Sequence, residues 1–280
     1  MLKLHPRLFK ATSDMEKFIE FHPQSAKDLK TMMANFLKKS GDMSMDGKLI
    51  GVVVPHAGYI YSGMTASYSY NLIQRSGSTR LIVIGPKHSG RPFDTYVYPN
   101  GRWLTPLGPC EIDSHLLVDL RNSGKYIKES DTAFQNEHSI EVQVPWIQHV
   151  TSGKGKILPI SMGDQDSSKA IQISEAIQKL KDNFIIIASS DLTHYEDALS
   201  VERKDSRMIQ AVESLDVDLF YSTIVEENAT PCGYGPIAAL MHYTSSIGGK
   251  IKLLNHSNSG DASGDFSQVV GYVSMVAYME

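Results

Sequence analysis

The chain has 280 residues, of which 41% are hydrophobic and 21% charged, an ordinary balance for a soluble globular protein. Its formal net charge of -4, without a basic stripe, argues against a nucleic-acid partner. The two cysteines, Cys110 and Cys232, are too few for a disulfide framework and favour a reducing compartment. No apolar run approaches the roughly 20 residues of a membrane span, and the N-terminus lacks an apolar core of signal-peptide length. We therefore expect a cytoplasmic protein with no membrane partner.

The predicted elements begin with an N-terminal extension over residues 1–47, which contains one helix over 26–38. Short β-branched runs then predict strands that are covered on both faces. These runs are 49–56, 80–88, 155–161 and 183–191. Helical patterns lie between the strands, over 62–75, 137–149 and 167–181. Ser167 or Ser168 is placed to cap the last of these helices.

The C-terminal third predicts helices over 199–248, followed by two strands that a Gly/Ser/Asp loop joins. Strands that alternate with helices are typical of α/β architecture. The chain has no internal repeat, no low-complexity tract and no linker long enough to divide it. We therefore predict a single domain over 1–280, with a central mixed, largely parallel sheet flanked by helices.

Polar side chains follow three of the predicted strands. His56 follows VVVP, His88 follows LIVIGPK, and Asp191 and His194 follow FIIIASS. Ligands of open α/β sheets bind outside the carboxyl ends of the strands. One histidine after a strand is more often a hydrogen-bonded loop residue, but histidines at three strand ends indicate one shared crevice.

The histidines and one cysteine are candidate metal ligands. Neutral imidazoles at positions 56 and 88 can bind a transition metal, but their spacing alone is a weak indication. Cys232 precedes a helix predicted to start near Pro236, and the amide dipoles at a helix start favour a thiolate. That thiolate would be either a ligand or a nucleophile. Cys110, in a predicted loop, is better explained as a small buried apolar residue.

The segment NEHSIEVQVPWIQ carries a second histidine pattern. On the predicted helix, His138 and Glu141 are three residues apart and share a face. This arrangement would either orient a hydrogen bond to a ligand residue or form a solvated helix start, and the sequence leaves both open.

Six segments follow one another from about residue 50 to the C-terminus: PHAGYIYSG, IGPKHSG, NEHSIEVQVPW, SSDLTHY, PCGYGPIAAL and NSGDASGDFSQVVGY. Together they resemble the Memo family. His22 and His256 stand where many relatives carry tyrosine. The resemblance implies a fold similar to that of class III extradiol dioxygenases of the LigB type, which are non-haem Fe(II) enzymes that open catechol rings.

The resemblance also implies roles for single residues. The dioxygenases hold iron with two histidines and a carboxylate. In this chain, His56 and His88 match the two histidines, and Cys232 takes the place of the carboxylate. His194 matches the acid/base histidine. The substrate-binding residues that we expect are Asp191, Tyr61 and His138.

We therefore expect a metal-dependent oxidoreductase that acts on an unknown small molecule. Fe(II) is the first expectation, and the soft thiolate makes Zn or Cu the alternatives. The fold does not by itself transfer ring cleavage. One rival is a binding protein that uses the crevice for a peptide or an anionic ligand. Another is a cysteine hydrolase with Cys232 as nucleophile and His56 or His194 as base. The resemblance implies Ammecr-type or radical-SAM-type proteins of the same pathway as partners.

Overall fold

The computed structural model describes residues 21–88, 94–123 and 127–280. Within them the principal helices are α1 (Ala26–Lys39), α2 (Tyr59–Ser76), α3 (Ser114–Ser123), α4 (Gln143–Val150), α5 (Ser167–Gln178), α6 (Ala198–Glu213), α7 (Val217–Glu226), α8 (Tyr234–Ser246) and α9 (Gly260–Ser263). The strands are β1 (Lys48–Val54), β2 (Arg80–Pro86), β3 (Thr95–Val97), β4 (Arg102–Thr105), β5 (Gly108–Ile112), β6 (Lys128–Glu129), β7 (Lys156–Met162), β8 (Ile185–Ser189), β9 (His194–Glu196), β10 (Lys250–Asn258) and β11 (Val269–Met279). Residues 1–20 of the predicted extension, and Ser89 and Gly90 of IGPKHSG, lie outside the described residues.

The strands form one sheet in the order β10-β11-β1-β8-β2-β7-β3-β6. The four central strands β1, β8, β2 and β7 run parallel to one another. β11 pairs antiparallel with β1, and β3 pairs antiparallel with β7, so the sheet is mixed. This confirms the predicted α/β class with a central mixed sheet flanked by helices.

The central strands are buried on both faces, as their continuous apolar runs predict. Alternate residues point to opposite sides: Val53 and Ile186 belong to one core, and Val52 and Ile187 to the other. Helices α3, α5, α6, α7 and α8 cover the first core, and α1, α2 and α4 cover the second. None of the helices in the described ranges combines the length and apolar character that a membrane crossing requires.

The helix predicted over 137–149 begins only at Gln143, and residues before it form turns. The Glu137 carboxylate accepts the backbone N–H groups of His138 and Ser139, each at 2.9 Å. A side chain that takes local N–H groups offers the backbone an alternative to helix. His138 and Glu141 therefore do not share a helix face, and that expectation is wrong.

Two smaller expectations are also corrected. Asp166, not Ser167 or Ser168, is the N-cap residue of α5, because the helix already starts at Ser167. Cys110 lies in β5 and not in a loop, although it is buried as a small apolar residue, with 2% of its surface exposed. The strands and the helix between residues 95 and 129 were not predicted, because their runs are short and rich in polar residues.

The strand order decides where the polar groups meet. β8 lies between β1 and β2, and all three run parallel. The segments that follow these strands therefore leave the sheet at the same edge, side by side. His56 follows β1, Asp191 follows β8, and His88 follows β2.

Asp113 is the buried acid that joins β5 to α3. Its carboxylate accepts two N–H groups of Arg80, at 2.7 and 2.8 Å, and the backbone N–H groups of His115 and Leu116. Burial opposes ionisation, but the hydrogen bonds and charge of Arg80, together with the backbone N–H groups of His115 and Leu116, outweigh it and lower the pKa of Asp113.

We expect Asp113→Asn to reduce the free energy of unfolding at pH 7 by about 1.5–3 kcal/mol, because charge-assisted hydrogen bonds are lost. A carboxyl group whose pKa is lowered by folding stabilises above its ordinary pKa of about 3.9, and that contribution is lost as pH falls through the folded value. The deficit of the variant should therefore shrink below about pH 4. Urea unfolding across pH measures this. The neighbouring exposed Glu111→Gln is the control, and an equal deficit in both variants would contradict the assignment.

Candidate metal centre

His56 directly follows the strand β1 and Pro55, and its side chain is 1% exposed. Asp191, in the segment after β8, holds the turn that carries His56. Its Oδ1 accepts the backbone N–H groups of His56, at 2.8 Å, and of Ala57, at 3.3 Å. Burial and the neighbouring histidines lower the pKa of His56 well below its ordinary value. The imidazole is therefore neutral, which is the form that binds metal.

The hydrogen-bond network also fixes which nitrogen of His56 carries the proton. Ser189 Oγ donates its hydrogen to the Ser139 carbonyl at 2.7 Å and accepts the Gln143 Nε2–H at 2.9 Å. His56 Nδ1 lies 2.9 Å from the same oxygen. A hydroxyl has a single hydrogen to donate, so Nδ1–H must be the donor to Ser189. The lone pair of His56 is consequently on Nε2, which lies 3.1 Å from Cys232 Sγ.

The amide of Gln143 is itself oriented. Its Nε2 donates to the Pro55 carbonyl at 3.0 Å, and its Oε1 lies 2.7 Å from the hydroxyl of Tyr70. A carbonyl can only accept, so this nitrogen cannot be exchanged with the oxygen. Gln143 therefore presents a donor to Ser189.

His88 follows β2, and Glu137 holds it. One carboxylate oxygen of Glu137 lies 2.9 Å from His88 Nδ1, and the other accepts the His88 backbone N–H at 2.6 Å. Burial opposes both charges, but this contact raises the pKa of His88 and lowers that of Glu137 to about 2. With Nδ1 bound to the carboxylate, Nε2 of His88 is the nitrogen available to a cation. A carboxylate behind a ligating histidine orients the ring and increases its basicity.

Cys232 lies two residues before α8, which begins at Tyr234, close to the predicted start near Pro236. Its Sγ accepts the backbone N–H of Asp191 at 3.2 Å. Burial and the Asp191 carboxylate raise the pKa of Cys232 well above its ordinary value. The expectation that the helix dipole favours a thiolate is therefore wrong in the absence of a cation, because desolvation outweighs the amide groups. A cation bound to Sγ would displace the proton.

The structure brings together the predicted ligand residues. One ligand atom from each of His56, His88 and Cys232 lies within 4.8 Å of the others. Their roles as ligands stay predictions.

Two further clusters share members with this one. His88 groups with Glu137 and His138, and Cys232 groups with Asp191 and His194, within the same 4.8 Å limit. The three clusters therefore form one continuous polar site at the carboxyl edge of the sheet.

His194 opens β9 and does not belong to the group that His56 and His88 form. Its backbone N–H donates to Thr230 Oγ1 at 2.8 Å, and its Nδ1 lies 3.0 Å from the Thr230 carbonyl oxygen. A carbonyl only accepts, so Nδ1 carries the proton and Nε2 has the lone pair. This tautomer suits a base beside the candidate centre.

His138 lies inside the same site although it is not on a helix. Its ring stacks on His88, with centroids 4.6 Å apart, and meets the His56 ring edge-on at 5.3 Å. Phe21 stacks on its other face at 4.7 Å. His138 therefore forms part of the wall beside the two candidate ligand histidines.

Tyr61 lies in the first turn of α2 and is 40% exposed. Burial raises the pKa of Tyr272, and the nearby Asp191, Tyr61 and Tyr195 add to this rise. The role of Tyr61 in substrate binding stays a prediction.

Sequence comparison with known proteins shows the family of this chain. A model of the Memo-like protein family matches residues 20–276. This chain belongs to the Memo-like protein family. A MEMO1 family protein of Thermoplasma acidophilum is 47% identical over 259 residues, which cover 92% of this chain and 95% of the relative. One of Thermotoga maritima is 40% identical over 233 residues, 82% of this chain and 83% of the relative.

A third Memo-like relative, from Nitrosopumilus maritimus, is 37% identical over 260 residues, 90% of this chain and 94% of its own. The resemblance that the sequence indicates is therefore confirmed. The crystal structure of an uncharacterized protein, JW3007, from Escherichia coli K12 has a TM-score of 0.49 at 12% identity, covering 81% of this chain and 99% of that one. Similarity at this level has no bearing on function.

Sequence reasoning missed the two side chains that orient the candidate ligands, Glu137 and Ser189. The predicted helix over 137–149 includes Glu137, but the observed helix begins only at Gln143. Ser189 is the last residue of β8, where a hydroxyl in an apolar run is the only indication that a polar partner lies opposite.

We expect Ser189→Ala to lower the affinity for Zn²⁺, used as the probe cation, by roughly 10–100-fold. The substitution removes the acceptor that holds Nδ1–H of His56, so the ring loses its fixed tautomer and orientation. Titration calorimetry measures the affinity.

Ser174→Ala is the matched control, because Ser174 Oγ is also buried and lies 3.1 Å from a histidine nitrogen, that of His242. It should cost stability without changing Zn²⁺ affinity. Equal affinity in wild type and Ser189→Ala would show that the network does not serve a cation.

Proposed function

We propose that this protein is a metal-dependent oxidoreductase-like protein that acts on a small molecule at a cation held by His56, His88 and Cys232. The observation that carries the proposal is the orientation of both imidazoles. Ser189 and Glu137 occupy the two Nδ1 atoms, which leaves both Nε2 atoms to bind a cation beside the Cys232 thiol.

The residues fit a small transition-metal ion. A tetrahedral ion with metal–nitrogen bonds of about 2.0 Å and metal–sulfur bonds of about 2.3 Å separates nitrogen from sulfur by roughly 3.5 Å. The Sγ–Nε2 distance of 3.1 Å between Cys232 and His56 is within a few tenths of an ångström of that value. Two neutral nitrogens and one thiolate suit Fe(II), our first choice, and also Zn or Cu.

A redox-active cation bound here would bind substrate at its open positions and exchange electrons with it. The chain's own groups would handle substrate and protons. His194 accepts a proton on Nε2, since Nδ1–H is bound to the Thr230 carbonyl. Asp191 and His138 flank the substrate position, and imidazole is the side chain best suited to proton transfer near neutral pH.

The second candidate is a binding protein without turnover, which uses the same crevice for a peptide or an anionic ligand. Exposed aromatic rings at the mouth favour it. Tyr195 is 71% exposed, with its ring 5.7 Å from that of His194, and Tyr61 is also exposed. Aromatic side chains provide large contact areas at low conformational cost.

The third candidate, a cysteine hydrolase, is less well supported. Its nucleophile must be a thiolate. Burial and Asp191 raise the pKa of Cys232, so the thiol is the favoured form until a cation binds. For partners, the family resemblance supports proposing Ammecr-type or radical-SAM-type proteins of one pathway.

The proposal is tested by element analysis of untagged protein purified without oxygen, followed by an oxygen-uptake screen with catechols and thiols. Stoichiometric metal and substrate-dependent uptake support an oxidoreductase. Stoichiometric metal without uptake favours the binding protein, and absence of any transition metal after reductive loading contradicts the proposed centre.

We expect Cys232→Ser to lower metal occupancy at least tenfold, because a serine hydroxyl remains protonated at neutral pH and is a poor ligand for soft cations. Cys110→Ser should leave occupancy unchanged. The Cys110 thiol faces the Gly155 carbonyl in the core, and burial raises its pKa to about 12. Equal metal loss in the two variants would mean that misfolding, not ligation, is responsible.

We expect His194→Ala to keep metal content and melting temperature near the wild-type values, while any turnover falls by roughly 10²–10⁴-fold. The reason is that His194 is positioned to move a proton without ligating the metal. His115→Ala, at an exposed position of α3, is the control. Lost metal would identify His194 as a ligand, and a large fall in melting temperature would identify it as structural.

A further inference from the structure

Asp205, on α6, is a fully buried carboxylate behind the loop that joins β8 to β9. Its Oδ1 accepts the backbone N–H of Thr193 at 3.1 Å. Its Oδ2 lies against Gly271 of β11 so closely that an added Cβ would overlap it. Gly271 also donates to the Thr193 carbonyl and accepts the Leu192 N–H, each at 2.8 Å. Asp205 thus binds the backbone of the loop and packs against the strand that pairs with it.

His256, on β10, supplies the charge that faces this carboxylate. Its Nε2 lies 2.9 Å from Asp205 Oδ2, and its Nδ1 lies 3.1 Å from Glu202 Oε2. Carboxylates only accept, so both contacts are hydrogen bonds only when both ring nitrogens are protonated. Burial opposes the charged ring, but the hydrogen bond and charge of Asp205, with the charge of Glu202, raise the pKa of His256.

The other charged groups near this pair have partners elsewhere. Strand alternation turns Asn255 and Ser257 toward Thr65 on α2, so His256 faces α6.

The basic side chains of α6 bond to other acids: Lys204 to Glu196, and Arg203 and Arg207 to Glu227. On the two strands, Lys252 lies over the ring of Tyr278, and the residue paired with His256 is Val273. Asp205 and Glu202 are therefore the charges that face His256 within the described residues.

The loop held by Asp205 carries groups of the candidate centre on both sides of Thr193. The Asp191 backbone N–H donates to Cys232 Sγ at 3.2 Å, and the His194 backbone N–H donates to Thr230 Oγ1 at 2.8 Å. A buried carboxylate without its countercharge must move toward water or take up a proton. Either change weakens its bond to Thr193 and loosens the loop at that residue.

We propose that His256 is a positioning residue: bound to Asp205, it holds the loop of Asp191 and His194 in place through the backbone of Thr193. The holding of the loop is independent of what the site does. Its consequence for cation binding rests on the proposed function.

The test is hydrogen exchange of the Thr193 amide, followed by NMR, with the Ile82 amide of β2 as the reference for global opening. In His256→Phe at pH 6, we expect Thr193 protection to fall at least about tenfold relative to Ile82, because a charge-assisted hydrogen bond is lost. His242→Phe is the matched control, since His242 also has a buried polar partner, the Ser174 hydroxyl, but lies on α8. It should leave Thr193 unchanged.

The pH profile gives a readout that a merely structural role would not change. A histidine whose pKa is raised by folding stabilises fully below its ordinary value of about 6.5, and the contribution is lost as pH rises through the folded value. Thr193 protection in the wild type should therefore fall as pH rises above about 6.5. In Asp205→Asn the profile should be flat, because Asn still accepts the Thr193 N–H but carries no charge. Glu202→Gln, at an exposed position, should change protection by less than about twofold.

Unchanged Thr193 protection in His256→Phe, or a flat wild-type profile, would overturn the proposal. If His256→Phe does not fold, the pH profiles of Thr193 protection in the wild type and in Asp205→Asn decide whether His256 holds the loop. Zn²⁺ titration separates the two claims: affinity should fall together with Thr193 protection. Lost protection with unchanged affinity would support the holding of the loop and overturn its consequence for cation binding. A wild type that binds no Zn²⁺ would contradict the proposed centre, and the Thr193 result alone would then decide whether His256 holds the loop.

Discussion

The candidate centre depends on the direction of one hydrogen atom, that of the Ser189 hydroxyl. It points at the Ser139 carbonyl, so Ser189 can only accept from His56 and Gln143. The strand β8 thereby specifies the tautomer of a side chain that follows β1. The orientation of His88 by Glu137 repeats this arrangement with a carboxylate in place of a hydroxyl. Both rings thus have their second nitrogens free at the same place.

The placement of the site could be read from the sequence because it follows from strand topology. Parallel neighbouring strands end at one edge, so the residues after VVVP, LIVIGPK and FIIIASS had to meet. The position of Cys232 before a helix makes it a candidate ligand, but the helix start does not favour its ionisation. Desolvation of Cys232 exceeds the effect of the helix start, and burial of this kind cannot be read from local sequence.

The groups that orient the site could not be predicted, because their roles depend on contacts between distant segments. Glu137 falls within the helix predicted over 137–149, yet its carboxylate accepts the backbone N–H groups of His88, His138 and Ser139. Asp205 lies in a helix that packs over β11, and nothing in its neighbours along the chain indicates that it supports Thr193. Short strands such as β3 and β6 exist only through pairing in the sheet, so local propensity was insufficient to reveal them.

The sequence distance between the site's members has a consequence for when the candidate centre can bind a cation. His56 and Cys232 are 176 residues apart, and His56 and Asp191 are 135 apart. During synthesis the two histidine-bearing strands leave the ribosome well before the thiol does. Parallel pairing of distant strands is among the slower steps of folding. The complete donor set therefore arises late, after β8 has inserted between β1 and β2. An ion that fills the candidate centre would therefore come from those available at that late stage, and not from those met by the nascent chain.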